Sequence, residues 1–224
     1  MNNILLWIIL LLVNFTGITL SYKLFKKTGL YIWIAMAAII ANIQVMKTIE
    51  VAGFVTTLGN IIYGTSYLAT DILNEKYGRK AAQKGVYIGI FILLVTTVIM
   101  QVCLLFTPHA SDIAQDSFKT IFGLLPRIAF ASVVAYSISQ IHDVWLFDKL
   151  RKRKNSPLWL RNNLSTLISQ FIDNVLFTTI AFLGIFPMEI IIEIFVTTYI
   201  MKFVVAALDT PFIYLARKLH VEEK

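Results

Sequence analysis

Seven apolar stretches, each of roughly 18 residues or more, follow one another along this chain with only short polar links between them. They run approximately over residues 4–22, 29–46, 57–75, 85–107, 121–147, 165–186 and 188–215. A helix of that length crosses the hydrocarbon core of a bilayer. Composition agrees, since 58% of the 224 residues are hydrophobic and 15% are charged, where a soluble domain carries roughly 25% charged residues. The expected fold is an all-α polytopic membrane bundle of seven transmembrane helices, forming one transmembrane domain over residues 1–224. The chain shows no internal repeat, low-complexity tract or soluble domain.

Loop charges test the count. The first link holds Lys23, Lys26 and Lys27, and the third holds Lys76, Arg79, Lys80 and Lys84. The fifth holds Lys149, Arg151, Lys152, Arg153, Lys154 and Arg161, and Arg217, Lys218 and Lys224 follow the last span. The alternate links carry only Lys47 and Lys119, so sixteen of twenty basic residues fall on one side. Six or eight spans would spoil this alternation. Positive loops stay cytoplasmic, which places the N-terminus outside and the C-terminus inside a plasma or inner membrane. The first span has no basic residue before it and three after it, the reverse of a secretory signal, so it reads as a retained helix. The net charge of +7 is therefore a topology signal and implies no direct nucleic-acid partner.

The links differ in kind. Residues 47–56 contain β-branched side chains and Gly53, expected in a short re-entrant or hairpin segment. Residues 108–118 read as a polar outer loop with Asp112 and Asp116. Residues 151–163 read as the main inner loop, broken by Pro157, with Trp159 anchored at the interface.

Ionisable groups at membrane depth are rare and face a bundle interior or a watery cavity. In the third span Asn60, Gly64, Tyr67, Asp71 and Glu75 recur at spacings of three or four and form one polar stripe. Similar faces carry Tyr136, Gln140 and Asp143 in the fifth span, Gln170, Asp173 and Phe177 in the sixth, and Tyr199, Lys202, Ala206 and Asp209 in the seventh. The second span ends a small-residue face in Asn42. Arg127 points away from Gln140 and Asp143 by helical angle. Nearby cations offer ordinary explanations for some of these groups. Asp143 has the inner-loop basic residues, Glu75 has Lys76 and Arg79, and Lys202 has Asp209 two turns away. His142 reads as interfacial. Asp71 and Asp173 have no neighbouring cation in sequence, so their partners come from other helices or from a ligand.

Enzyme signatures are absent: no phosphate-binding GxxxxGK[ST] loop, no HExxH and no GxSxG. One cysteine, Cys103, permits neither an internal disulfide nor a cysteine-based metal site, and with three histidines a conventional zinc site is not expected. No cofactor is expected. Polar stripes facing one another between helices point to a solute-binding cavity.

Four segments carry a resemblance. "YLATDILNEKYGRKAA" (67–82), "SQIHDVWLFDKLR" (139–151), "LWLRNNLSTLISQFIDNVLF" (158–177) and "MEIIIEIF…YIMKFVVAALDTPFIYL" (188–215) resemble, in order, the signatures of the queuosine precursor transporter family, also called the vitamin uptake transporter family. The resemblance spans roughly residues 30–215. It implies uptake of 7-cyano-7-deazaguanine or its aminomethyl relative for tRNA modification. It also implies a six-helix core, residues 29–215, similar to the capture subunits of energy-coupling-factor importers, with residues 1–28 as an extra N-terminal helix. The motif positions it carries over are Asn42, Asp71, Arg127, Gln140, Asp143, Ser165, Thr166, Gln170, Asp173 and Lys202. The expected substrate-binding set is Asn42, Asp71, Gln140, Asp143, Gln170, Asp173 and Lys202, with Glu75, Arg127 and Asp209 in structural or gating ion pairs.

The chemistry of such a ligand fits these residue types. A deazaguanine presents two N–H donors beside a carbonyl, so Asp71 or Asp173 can accept from the donors while Asn42, Gln140 or Gln170 serves the carbonyl and ring N–H. Tyr and Phe faces can stack on the base. Two rival readings remain at this stage: a capture subunit for another vitamin working with a separate ATPase module, which the sequence does not reveal, and a non-transporting membrane scaffold. Preferred precursor, energy coupling and homo-oligomer formation are left open.

Overall fold

The computed structural model describes residues 3–51, 53–123, 126–153, 157–184 and 187–219. Lys154, Lys224 and the end of the expected sixth span at residues 185–186 lie outside the described residues. The elements are α1 (Asn3–Gln44), β1 (Thr48–Val51), β2 (Phe54–Thr57), α2 (Gly59–Tyr77), α3 (Arg79–Leu104), α4 (Gln115–Phe118), a π-helical turn (Lys119–Gly123), α5 (Pro126–Arg151), α6 (Leu158–Phe182) and α7 (Met188–Lys218). The fold is an all-α helical bundle with one small hairpin.

Helix α1 is two antiparallel arms. Its helical geometry breaks at Lys26, where φ is 56° and ψ is −137°. Across the break Ser21 Oγ donates to the Gly29 carbonyl at 2.9 Å. A Cβ on Gly17 would come within 2.6 Å of the Trp33 ring, so the arms touch there too. The reversal expected between the first two apolar stretches is thus made by one residue within a continuous run. Counting the arms separately, seven long helices fill the described residues.

The 47–56 link forms the hairpin of the two expected alternatives. β1 and β2 pair antiparallel from Thr48↔Thr57 to Val51↔Phe54, with Gly53 at φ 83° in the turn. Three helix boundaries differ from the sequence expectation, each for a local reason. α3 begins at Arg79, not 85, because Gly78 at φ 80° ends α2 and lets the chain turn at once. α5 begins at Pro126, not 121, since the preceding segment winds as a π turn and proline suits a first helical position. α6 begins at Leu158, directly after Pro157, so half of the expected inner loop is helical. Trp159 lies exposed at that end.

Four helices among the described residues are long and apolar enough to cross a membrane by length and composition: α1, α3, α6 and α7 from Ile191. α2 and α5 are not among them, and α2 lies at the centre of the bundle. Every residue from 59 to 74 except Tyr63 is buried, and α2 packs against α1, α3, α5, α6 and α7. A helix sheathed by protein needs no lipid-compatible surface, so it can carry polar groups on several faces. Ile61, Ile62, Leu68 and Leu73 join the apolar core with Phe15, Ile18 and Ile34 of α1. Trp33 Nε1 donates to Thr65 Oγ1 at 2.9 Å and Asn74 Nδ2 to the Val144 carbonyl at 3.0 Å, fixing α2 to α1 and α5. Gly64 allows α7 close approach: a Cβ there would meet Val205 at 2.6 Å. Exposed Leu12, Phe91, Val98 and Phe203 belong to the outer apolar belt.

The basic links gather at one end. Lys27 lies over the Tyr77 ring at 5.1 Å, and Lys76 Nζ donates to the Arg217 and Leu219 carbonyls at 2.6 and 3.2 Å. Arg151 donates to the Asn74 carbonyl.

Candidate functional site

Away from the basic end, the helices splay around a cavity of about 400 Å³. This is within the size range of small-molecule sites. Its rim uses Met46 near the end of α1, Gly59 at the start of α2, Phe182 at the end of α6 and Ile194 near the start of α7. Asn42 and Asn60 add amides, while Tyr63, Tyr136 and Phe177 add aromatic surface.

The cavity ends on a charge pair. Lys202 of α7 and Asp173 of α6 line it, and Lys202 Nζ lies 2.6 Å from Asp173 Oδ2. Both residues are nearly closed off, at 5% and 3% exposure. Such a pair repays its desolvation only when further hydrogen bonds satisfy it. Asp173 Oδ1 receives the Tyr63 hydroxyl at 2.5 Å and the Ser139 hydroxyl at 3.2 Å. Tyr67 donates to Ser139 at 2.8 Å, extending the chain into the bundle. Lys202 also lies over the Tyr63 ring at 5.1 Å. The floor therefore presents an ammonium and a carboxylate side by side, beside aromatic faces.

A second polar layer lies deeper. Asp71 is eight residues past Tyr63 on α2, about 12 Å along the axis. Its Oδ2 accepts from Thr166 at 3.2 Å. Gln140 accepts from Thr70 at 3.3 Å and donates to Ser66 at 3.1 Å. Asp143, wholly buried, faces Ser165, Ser169 and the Asp71 carboxyl, yet neither of its oxygens receives a well-formed hydrogen bond. Gln170 is also wholly buried, with no partner for either amide atom.

Of the expected substrate-binding residues, the structure brings Asn42, Asp173 and Lys202 to the cavity wall. Asp71, Gln140, Asp143 and Gln170 form the layer beneath it. Sequence reasoning passed over Tyr63, although it stands three residues after Asn60 and four before Tyr67, on the same stripe. It also passed over Ser139, whose role depends on a partner in another helix.

The expected ion pairs are rearranged. Glu75 is held by Arg161 at 2.8 Å and lies 3.7 Å from Arg217, rather than pairing with Lys76 or Arg79. Lys202 does not pair with Asp209. Two turns separate them, whereas Asp173 reaches Lys202 directly from α6, and Asp209 instead accepts from Asn162 at 2.7 Å. Arg127 forms no ion pair among the described residues. Its Nε and Nη2 each donate at 2.6 Å to carbonyls of Ile180 and Leu183, which end α6 and lack helical partners. The inner-loop cations expected near Asp143 are taken by Asp148, with Lys152 at 2.7 Å and Arg151 at 3.5 Å. His142 meets Ser169 Oγ at 2.9 Å.

Apolar helices outside, a central polar helix and an internal cavity with a charged floor define a multi-pass membrane protein built around a solute-sized site. The chain belongs to the family described as "Putative vitamin uptake transporter", whose profile matches residues 57–216. It is 46% identical over 215 residues to the "Probable queuosine precursor transporter" of Bacillus subtilis, covering 95% of this chain and 94% of that one. It is 31% identical over 143 residues to the "Queuosine precursor transporter" of Escherichia coli, covering 63% and 62%. No solved structure matches the chain.

Proposed function

We propose that this protein imports a queuosine precursor, 7-cyano-7-deazaguanine or its aminomethyl relative, across the plasma or inner membrane, with seven spans, the N-terminus outside and the C-terminus inside. The observation that carries the reading is the Lys202–Asp173 pair lining a cavity of about 400 Å³ that opens away from the basic loops. The relatives named as queuosine precursor transporters supply the substrate class.

The floor suits a lactam edge. The ammonium has three donors, and a carboxylate has about four acceptor positions. Lys202 donates to the ring carbonyl of the base, while Asp173 accepts from the adjoining N–H and exocyclic amine, with Tyr63 or Ser139 giving way. Tyr63, Tyr136 and Phe177 pack against the flat ring, and Asn42 or Asn60 meets its far edge. Binding and translocation need no bond-making, so the protein acts as a carrier rather than an enzyme.

The test is uptake of labelled 7-cyano-7-deazaguanine by proteoliposomes holding only this chain. Saturable uptake is expected, and Asp173→Asn should abolish it. Ligand-induced thermal stabilisation without uptake would instead favour a capture subunit dependent on an ATPase module. Neither stabilisation nor uptake would leave a scaffold.

A further inference from the structure

Asp71 on α2, Asp143 on α5 and Asp209 on α7 lie beneath the cavity, each no more than 1% exposed. Thr166, which bonds Asp71, and Asn162, which bonds Asp209, stand one turn apart on α6, and Asp143 and Asp209 are the charged neighbours of Asp71. The charged group acting on Asp209 is Asp143. The cations of neighbouring elements are engaged elsewhere, Lys202 on Asp173 and Arg161 on Glu75. The other groups facing the trio are hydroxyls and an amide of α6: Thr166 on Asp71, Ser165 and Ser169 on Asp143, and Asn162 on Asp209. Tyr67 stands above them on α2, and His142 reaches Ser169.

Neighbouring carboxylates in a low-dielectric site do not both stay ionised without a counter-charge. Unbonded oxygens remain on all three aspartates. A second, separate observation points the same way. Gln170 has no partner, and on α6 it is four residues past Thr166 and three before Asp173, so it shares their face between the trio and the cavity floor. A proton is the counter-charge that fits: it forms an O–H on one carboxyl that bonds to the other.

We propose that Asp71, Asp143 and Asp209 form a proton-binding site that couples import to proton entry. The inference rests on the importer reading. A hydrogen-bonded line Asp173–Ser139–Tyr67, whose links are 3.2 and 2.8 Å, runs inward from the cavity floor as far as Tyr67, and a proton entering from the outer side passes from there to the trio as the helices rearrange. It is held as an O–H between Asp71 and Asp143, and leaves as H⁺ to the inner side when the Glu75–Arg161 contact opens. α2, α5, α6 and α7 each contribute to both layers, so loading the cavity and protonating the trio act on the same helices.

The experiment uses proteoliposomes of the full chain, 7-cyano-7-deazaguanine as probe, a lumenal pH dye and a clamped membrane potential. With the outside acidic by one unit, one proton per base supports about tenfold accumulation, and the dye should report lumenal acidification on adding the base. Asp143→Asn should keep ligand-induced thermal stabilisation and exchange of preloaded base, yet lose both accumulation and dye signal. Uptake indifferent to the pH gradient, or driven by sodium, overturns the proposal, as does coupling that survives in Asp143→Asn. Loss of stabilisation in Asp143→Asn makes it a binding residue and equally overturns it. If that variant does not fold, the wild-type dye signal and Asp209→Asn decide. Stabilisation of wild type without a dye signal sinks only the coupling, whereas absence of any stabilisation sinks the importer reading and the coupling with it.

Discussion

Lys202 of α7 and Asp173 of α6 meet at 2.6 Å where the cavity ends, and the Tyr63 hydroxyl closes on the same carboxylate from α2. Three helices thus converge on one buried charge. None of these partners is adjacent in sequence.

Removing one member strands the other. Lys202→Met should destabilise the protein by about 3–5 kcal/mol, the usual cost of an unpaired buried charge. The pair Asp173→Asn with Lys202→Met should recover most of that loss while binding no deazaguanine. Thermal unfolding in detergent with ligand titration checks both points. A double variant as unstable as the summed singles would show that the residues do not act as a unit.

Glu75 joins α2 to Arg161 of α6 and approaches Arg217 of α7 at the basic end. Glu75→Gln should loosen this contact and admit water from the basic end. In a Cys103→Ala background, Ser165→Cys provides a buried reporter. Its reaction with a hydrophilic thiol reagent should quicken when Glu75→Gln is added. An unchanged rate would remove Glu75 from the closure.

The proposed topology can be tested at the same ends. Under the proposed orientation, Ser111→Cys should react with an impermeant reagent in intact cells, and Arg153→Cys should react only after permeabilisation. Both side chains are exposed. Labelling of position 153 from outside would reverse the orientation.

Much of the bundle was legible because lipid imposes long apolar runs, and alternating basic links mark their ends. The polarity of α2 was legible too, as a stripe from Asn60 to Glu75. Its central place explains why it tolerates that stripe. Depth was not legible. Asp71 and Asp173 look alike in sequence, each isolated in an apolar run, yet only Asp173 reaches the cavity, because helix splay sets where the space opens. Partner choice was hidden for a related reason. Sequence offers Lys76 to Glu75 and Asp209 to Lys202, but neighbouring helices bring Arg161 and Asp173 closer. Lys26 gave no turn signal of its own, and only the three-dimensional trace shows the whole reversal resting on its φ of 56°.

That reversal is tight enough to test. A Cβ on Gly29 would lie 2.1 Å from the Ser21 carbonyl oxygen, a backbone atom that cannot swing aside. Gly29→Ala should therefore force the arms of α1 apart and cost about 1–3 kcal/mol, in the range of overpacked cores. A melting temperature equal to wild type would mean that the arms have room to separate.

Selectivity tests the floor most directly. The guanine pattern sets a carbonyl beside two N–H donors, matching the ammonium and carboxylate of Lys202 and Asp173. Adenine exchanges donor and acceptor along this edge, so the ammonium would face an amine and the carboxylate a ring lone pair. Both partners are nearly closed off from water, so neither mismatch is relieved by solvent. Sites built to hydrogen-bond a ligand can reject a mismatched analogue by about 10⁴-fold. Competition against labelled 7-cyano-7-deazaguanine should show the aminomethyl relative close behind it, guanine weaker and adenine without effect. The 7-substituent lies away from the lactam edge, which is why changing it should cost less than changing the edge. Equal competition by adenine would refute recognition by the Asp173–Lys202 pair, even with import itself established.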